Sequence, residues 1–368
     1  MKSIDTNPDK VKSMEDFEIV QFAENIIRTI TKDLNESLYS EPNSSLSVSW
    51  KRNDSFNASA IPKSKLNEPP VDIITINYGL AVQMYRDIDE YCTYIESGFD
   101  NKSFSFFFRD HLDKSILPTN FEPKDYRKNI FISALTWVYF HELAHLNQEH
   151  VYTLNSLLNN KYSEYEEFNI DNSKSFKGRN ANIHHVLELA ADFEAIQVCI
   201  SELIRHFKGN ELKEAIGTFV TGISCAIYKT HSLGMSDLNS EVTGSHPPPI
   251  VRLEQILPQI WETLDLLEQK KAINIKASRS ELVHQCERSS LTSGFFWFRK
   301  RHIHPDQLTD FLHCETVNRV GGRNYLQTII STWDEIEPEI NKNRRDKKGL
   351  RILTFTKKYR DLVFDNSE

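Results

Sequence analysis

The segment Phe131–Leu146 is apolar on almost every face and nevertheless carries His141, Glu142 and His145. An apolar run of this length is typical of a helix buried in a protein core. Carboxylate and imidazole groups are costly in such a place unless a cation or a hydrogen-bond partner compensates them. The segment therefore predicts a core helix that contains a polar site.

Residues 141–145 read His-Glu-Leu-Ala-His, a spacing that puts two imidazoles one helical turn apart. At about 100° per residue, His145 lies roughly 40° around the helix from His141, so both can bind one ion. Glu142 lies beside them, where it can reach a metal-bound water. We predict His141 and His145 as ligands of one Zn²⁺ ion and Glu142 as the catalytic base. The alternative is a chance match on a polar turn.

A catalytic zinc site takes three protein ligands and a water, so the motif needs a third ligand. His150 is nearest, but in a continuous helix it lies roughly 180° around from His141, and we predict a surface or helix C-terminal histidine. Glu188 and Asp192 lie four residues apart within the apolar segment HHVLELAADFEAI, where unpaired carboxylates would be costly. We predict Glu188 as the third ligand and Asp192 as the acceptor of the outward N–H of a ligating histidine.

Two alternatives stay open for the segment that carries Glu188. Glu188 and Asp192 are also compatible with an acidic pair on a solvated helix face. His184 and His185 are competing ligands, although their place ahead of the apolar run predicts the polar start of a helix.

The segment SHPPPIVRLEQIL (245–257) predicts a helix that begins near residue 249, because proline suits the first helical turn. A rigid proline run can also hold His246 at a fixed place beside a site. Arg252, one turn into the helix, can approach a carboxylate or a developing oxyanion. We predict a catalytic role for both, with a plain helix start as the alternative.

The remaining pattern predicts a mainly α protein with a small β element, an α+β fold. Helices are expected at 14–33, 79–97, 127–150, 184–207 and 211–231, strands at 45–50 and 71–77, a loop at 51–70, and a long loop or mobile cover at 158–182. The strand at 71–77 is expected to offer an edge to an extended substrate. We predict three regions: an N-terminal α+β region (1–125), a zincin-like helical metallopeptidase core (126–268) and a basic helical C-terminal extension (269–368).

Composition places the chain among ordinary globular proteins of 368 residues. Five scattered cysteines without C-x-x-C spacing argue against a disulfide framework and against thiolate zinc. Neither a signal peptide nor a membrane-spanning segment is evident, so we expect a soluble cytoplasmic protein. The net charge of −8 argues against general nucleic-acid binding, although the region after Lys270 is basic.

The ordered motifs H-E-x-x-H, E-x-x-A-D and H-P-P-x-x-x-R resemble those of gluzincin peptidases of the HtpX and CaaX-prenyl-endopeptidase type. The resemblance covers about residues 130–260 and implies a helical zinc-peptidase core. It implies His141, His145 and Glu188 as ligands, with His246 and Arg252 near the substrate or the transition state. Those families are membrane proteins, and this chain lacks their hydrophobic spans, so a membrane substrate is not implied.

The layout is closer to that of the soluble Lit phage-exclusion peptidases. These have a strand-then-helix segment like VDIITINYGLAVQMYRDIDEY ahead of an apolar A-x-x-W helix like ALTWVYFHELAH. The resemblance implies a cytoplasmic antiphage protease that cleaves elongation factor Tu and is activated by a phage-derived peptide or protein. The C-terminal hundred residues lie outside it.

Two functions from other classes are alternatives. In one, the zinc is structural and the protein is a binding or scaffold module, but structural sites usually have four protein ligands. In the other, the chain is a regulator that contacts nucleic acid through FFWFRKRHIH (295–304) and KNRRDKKGLRILTFTKKYR (342–360). A solvated basic helix with its aromatic residues in the core is the favoured interpretation of these segments, because no nucleic-acid recognition motif accompanies them.

Overall fold

The structure is a computed structural model, and it describes residues 14–108, 117, 123–158, 162–166, 176–230, 242–302, 315–345 and 350–365. The helices are α1 (Asp16–Glu36), α2 (Tyr78–Ser97), α3 (Asn101–Phe107), α4 (Pro123–Asn147), α5 (His150–Leu158), α6 (Gly178–His206), α7 (Gly209–Lys229), α8 (Pro249–Gln269), α9 (Arg279–Lys300), α10 (Gly322–Asn343) and α11 (Lys357–Phe364). The strands are β1 (Ser45–Lys51), β2 (Ala58–Pro62), β3 (Val71–Asn77) and β4 (Tyr165–Glu166). A 3₁₀ turn spans Thr316–Asn318.

The fold is mainly helical with one small sheet, so the predicted α+β class is confirmed. Helix α4 runs through the core, where it packs against α2, α6, α7 and β2. Its middle is buried on all sides, as the apolar run predicts. Helix α6 lies alongside α4 and carries the second predicted motif. The core helix with a polar site is therefore confirmed.

The sheet has the strand order β1-β3-β2-β4. Strand β1 runs parallel to β3, whereas β2 is antiparallel to both β3 and β4. Strands β1 and β3 confirm the two predicted strands. The expectation that β3 offers a free edge is wrong, because β1 and β2 pair with it on its two sides.

Two predicted loops contain strands instead. Residues 51–70 include β2, a strand of small residues that pairs with β3 along its whole length. Residues 158–182 include β4 and the start of α6, and residues 159–161 and 167–175 of that segment lie outside the described part of the chain. Both short strands depend on pairing with distant residues, which local sequence patterns do not show.

The motif helix also ends earlier than predicted. Helix α4 stops at Asn147, and Glu149 adopts a left-handed backbone conformation with φ 55° before α5 begins at His150. Such a residue reverses the direction of the chain between two helices. His150 is therefore not part of the helix that carries His141.

The C-terminal region packs on the helical core. Its segment Phe295–Phe298 is buried, and the neighbouring cations Arg299 and Lys300 pair with Asp100 and Asp87. These contacts are those of a packed helix rather than of a free basic surface. Among the described residues, no helix combines the length and apolar character needed to cross a membrane.

Candidate metal centre

The three predicted ligands come together at the α4–α6 interface. The Nε2 atoms of His141 and His145 lie 2.9 Å apart. Glu188 places Oε2 at 3.3 Å from Nε2 of His141 and Oε1 at 3.6 Å from Nε2 of His145. All three side chains are almost completely buried. Two adjacent helices thus direct two imidazoles and one carboxylate at a common point.

This arrangement fits a tetrahedral cation. Ligand atoms at about 2.1 Å from a tetrahedral zinc ion lie about 3.4 Å from one another, which matches the observed separations. Two imidazoles and one carboxylate are a donor set that suits zinc. His141, His145 and Glu188 are also the metal-ligating cluster that the described part of the chain contains, with ligand atoms within 4.8 Å of one another. The group could therefore hold one metal ion.

Asp192 fixes the orientation of the His141 ring. Its Oδ1 lies 2.9 Å from Nδ1 of His141, and its two oxygens accept hydrogen bonds of 2.7 Å from Nε and Nη2 of Arg252. Burial alone would raise the pKa of Asp192, but Arg252 and His141 together outweigh burial and hold the pKa below its usual value. An ionised Asp192 accepts the Nδ1 proton of His141, which leaves the Nε2 lone pair directed at the cluster.

His150 has the corresponding contact with His145. The Nδ1 atoms of the two rings lie 2.7 Å apart, and His150 is fully buried. The prediction that His150 is a surface or helix C-terminal residue is therefore wrong. The left-handed backbone at Glu149 turns the chain back, so His150 lies beside a histidine from which a continuous helix would separate it.

The proton positions on these rings follow from Gln148. Its Nε2 donates to Ala190 O at 3.0 Å and to Glu194 at 2.9 Å, so its Oε1 can only accept. That oxygen lies 3.3 Å from Nε2 of His150. Burial, together with neighbouring histidines, holds the pKa of His150 well below its usual value. A neutral His150 that donates from Nε2 must accept at Nδ1, which places the His145 proton on Nδ1 and its Nε2 lone pair at the cluster.

Glu142 and Trp137 are two further α4 residues near the candidate ligands in sequence. Glu142 follows His141 directly and is fully buried. Trp137 lies one turn before His141, with ring centroids 5.5 Å apart, and the Arg252 guanidinium lies 5.4 Å from its ring centroid. The tryptophan of the A-x-x-W segment thus packs between a candidate ligand and the arginine that holds Asp192.

The proline-rich segment brings His246 to the cluster. Nε2 of His246 lies 3.4 Å from Oε2 of Glu188, and Nδ1 lies 2.7 Å from Oγ of Ser245. Its side chain is 15 % exposed, whereas Arg252 is 1 % exposed and lies 3.8 Å from Glu188. His246 is therefore at the accessible side of the cluster, and Arg252 is behind it. Their catalytic roles stay predictions.

The competing histidines face other surroundings. Nδ1 of His185 lies 2.9 Å from the hydroxyl of Tyr325 in α10. His184 stacks on Phe176 with ring centroids 4.3 Å apart, and burial lowers its pKa to about 4. Neither belongs to the metal-ligating cluster of the described residues. The geometry favours Glu188 as the third ligand.

Tyr165 is a site residue that the sequence pattern does not reveal directly. Its ring stacks on His145 with centroids 3.8 Å apart and an interplanar angle of 22°. It lies in the segment predicted to be a polar loop, which nevertheless contains several aromatic residues. Those aromatic residues were the available signal, since a solvated loop rarely needs them.

The buried cluster shows that this protein has a candidate metal centre. A comparison with known families indicates the class of protein. Residues 85–262, a little under half of the chain, match the family model described as peptidase U49. The match supports a peptidase and is consistent with the Lit-like layout. It includes all three candidate ligands together with Glu142, Asp192, His246 and Arg252. No curated protein and no solved structure is significantly similar to the chain.

Proposed function

We propose that this chain is a zinc-dependent endopeptidase of the gluzincin type. The observation that carries the proposal is the buried His141–His145–Glu188 cluster inside the segment that matches a peptidase family. Each imidazole has its outer nitrogen fixed by a partner, Asp192 or His150, so both inner nitrogens are prepared to bind a cation. A buried cluster organised in this way is costly without a metal.

When bound, zinc would polarise the scissile carbonyl and acidify water. Glu142 is the proposed general base, since it is adjacent to His141 on α4 and fully buried. In the proposed reaction its carboxylate accepts a proton from the attacking water and delivers it to the leaving nitrogen. The buried surroundings of Glu142 favour both proton transfers, because charges interact more strongly there than in water.

His246 and Arg252 have different proposed tasks. His246 lies on the accessible side of the cluster, where its Nε2 can donate to the developing oxyanion. The Arg252 guanidinium is engaged by Asp192, which favours a positioning role through His141. The resemblance also implies that Arg252 lies near the substrate, and that role stays a prediction.

The biological substrate is proposed from the Lit resemblance. We take elongation factor Tu as the specific hypothesis, with cleavage in the cytoplasm after activation by a phage-derived peptide or protein. Purified chain would be incubated, with and without an extract of phage-infected cells, with elongation factor Tu and, separately, with unfolded casein as a generic substrate. Cleavage of casein but not of the factor would retain the peptidase and reject this target.

The decisive variant for the chemistry is Glu142→Gln. It should retain about one zinc per chain by elemental analysis and lose about 10²–10⁴-fold in cleavage rate, since only the base is removed. Glu36→Gln, a change at an exposed glutamate, is the control. A Glu142→Gln enzyme of normal activity would exclude Glu142 as the base.

A second variant tests the metal ligand. Glu188→Ala should lower the bound zinc sharply, because the cluster loses its only carboxylate ligand. Unchanged zinc stoichiometry in this variant would assign the third position to another residue.

A further inference from the structure

Strand β2 lies close to the candidate centre, because its paired strand β4 carries Tyr165, which stacks on His145. It packs against α4, and its side away from β3 pairs with β4. The cross-strand pairs there are Ser59 with Glu166 and Ala60 with Tyr165. An extended peptide that adds to a sheet edge uses the same main-chain groups. The edge of β2 is thus in use by the chain itself.

The side chain that β4 presents to the centre is Tyr165. It stacks on the His145 ring at 3.8 Å between centroids and is only 4 % exposed. Directly paired residues of antiparallel strands point to the same face of the sheet, so Tyr165 and the fully buried Ala60 share one face. Tyr165 therefore covers a candidate ligand from the sheet side.

Contacts on both sides hold this segment in place. The Asn155 side chain in α5 donates to Tyr162 O at 2.9 Å and accepts from Tyr162 N at 2.6 Å. At the other side, the Ser59 hydroxyl donates to Glu164 at 3.3 Å. We call residues Tyr162–Glu166 the blocking segment. Together with the buried Tyr165 ring, these hydrogen bonds and the short strand pairing lie within five residues, so the segment can be released by local opening rather than by unfolding of the core.

We infer that the blocking segment occupies the place of an extended substrate chain along β2 and must leave before a peptide can reach the centre. This inference rests on the proposed peptidase function, whose regulation it describes. One strand edge pairs with one chain at a time, so substrate and blocking segment exclude each other. The apparent dissociation constant of an extended ligand then equals the intrinsic constant divided by the fraction of molecules from which the segment has moved away.

A reversible lock tests this inference. Opposed antiparallel residues have Cα atoms about 4.5–5.5 Å apart, which suits a disulfide. The double variant Ser59→Cys/Glu166→Cys, in a Cys314→Ser background, joins β2 to the blocking segment under oxidising conditions. Four other cysteines, Cys92, Cys199, Cys225 and Cys286, are buried. The single variant Ser59→Cys in the same background is the control.

The readout is binding of a peptide hydroxamate to the zinc-loaded 368-residue chain, measured by calorimetry. This probe needs an extended path to the metal but no hydrolysis. The oxidised double variant should bind it at least about tenfold more weakly than its reduced form, while the zinc content of the two forms is equal. Equal affinity in the oxidised and reduced forms would overturn the inference.

Tyr165→Ala supplies an independent test by loosening the blocking segment. The variant should bind the hydroxamate about tenfold more tightly and cleave unfolded casein faster than the unchanged protein. Unchanged or weaker binding would overturn the inference. Failure of the peptidase proposal is separately visible, because casein would then stay intact in every variant while the hydroxamate still reports access to the zinc.

Discussion

Each candidate imidazole ligand has a buried partner that fixes its proton. His141 uses the carboxylate of Asp192, the usual kind of partner for a metal-ligating histidine. His145 instead uses the neutral ring of His150, whose own proton is directed to Gln148. A neutral partner raises the basicity of its ligand less than a carboxylate does. His145 is therefore expected to be the weaker of the two imidazole ligands.

Removal of His150 should weaken the metal site. We expect His150→Ala to reduce zinc affinity about 10–100-fold, the usual cost of losing such a partner. His150→Asn should lose less, because its amide oxygen can still accept the Nδ1 proton of His145. Competition with a chromophoric chelator measures both. The exposed His206→Ala is the control, and an effect of His150→Ala no larger than that of His206→Ala would show that the contact does not support the metal.

At the scale of single residues, the sequence predicts the candidate ligands and the base but not the position of His150. The spacing of His141, Glu142 and His145 follows from helical periodicity alone, so it could be predicted. The position of His150 could not, because it depends on one backbone conformation at Glu149, and a glutamate gives no sign of a left-handed turn. A glycine gives such a sign, as Gly321 does with φ 75°.

Among the helices, the contact between α4 and α7 depends on a glycine. A Cβ atom at Gly222 would lie 2.6 Å from the carbonyl oxygen of Ile130 and 3.0 Å from the amide nitrogen of Ala134. Both are backbone atoms of α4, so they cannot move without shifting the helix that carries the centre. At Gly217, also in α7, the added atom would meet only the end of the Gln285 side chain.

These two glycines provide a matched pair of variants. Gly222→Ala should lower the free energy of unfolding by about 1–3 kcal/mol, the cost of overpacking a tight interface. Gly217→Ala should cost less, because only the Gln285 side chain and its hydrogen bond to Lys213 O must give way, and alanine favours the helix by up to about 1 kcal/mol. Urea unfolding followed by circular dichroism measures both. Equal destabilisation by the two substitutions would contradict the proposed close approach.

The element boundaries show what local patterns can and cannot predict. The long helices α2, α7 and α8 and the strands β1 and β3 carry strong periodicity or turn signals, and they lie where the sequence predicts them. Strand β2 is rich in alanine and is stabilised by its neighbours rather than by its own propensity. Within the blocking segment, the two residues of β4 form a strand by pairing with the edge of β2.

Glu254, in the first half of α8, is expected to make the stability of the protein depend on pH. Glu254 is partly buried and accepts a hydrogen bond of 2.8 Å from the backbone N–H of Thr316, and desolvation raises its pKa from 4.5 to about 7. Because the folded pKa exceeds the unfolded one, the folded state binds more protons between these values. The free energy of unfolding therefore falls as pH rises through this window.

Glu254→Gln should remove this contribution. Glutamine keeps the acceptor for Thr316 but cannot ionise, so the variant should lose less stability between pH 5 and pH 8 than the unchanged protein. Thermal unfolding at both pH values should show a difference of a few degrees in the Tm shift. The exposed Glu36→Gln should leave the shift unaltered. A Tm shift in Glu254→Gln as large as in the unchanged protein would contradict the assignment.

For the molecule as a whole, Arg345 joins the C-terminal region to the turn beneath the centre. Its guanidinium contacts Asp72 in β3 and donates to Glu149 at 2.6 Å, and its backbone N–H donates to Asn147 O at 2.8 Å. Burial raises the pKa of Glu149, and Arg345 opposes that effect. The turn that brings His150 to His145 is thus held by a residue almost two hundred positions later.

No sequence pattern connects these residues, since each contact joins segments far apart in the chain. The charges of the basic C-terminal region predict a solvated or partner-binding surface. Arg345 has a different role because its two carboxylate partners are themselves buried, at 0 % and 10 % side-chain exposure. Long-range charge pairing of this kind becomes visible only in the folded structure.

Arg345→Met should therefore destabilise the protein by about 3–5 kcal/mol, because it leaves two buried carboxylates without their cation. Arg360→Met is the matched control: Arg360 also makes two hydrogen bonds to one carboxylate, that of Asp334, but at the surface, where such pairs contribute about 0–1 kcal/mol. Urea unfolding compares the two. Arg345→Met should also weaken zinc binding, since the Glu149 turn loosens and His150 loses its fixed place. Similar stability and similar zinc affinity in the two variants would show that Arg345 does not support the centre.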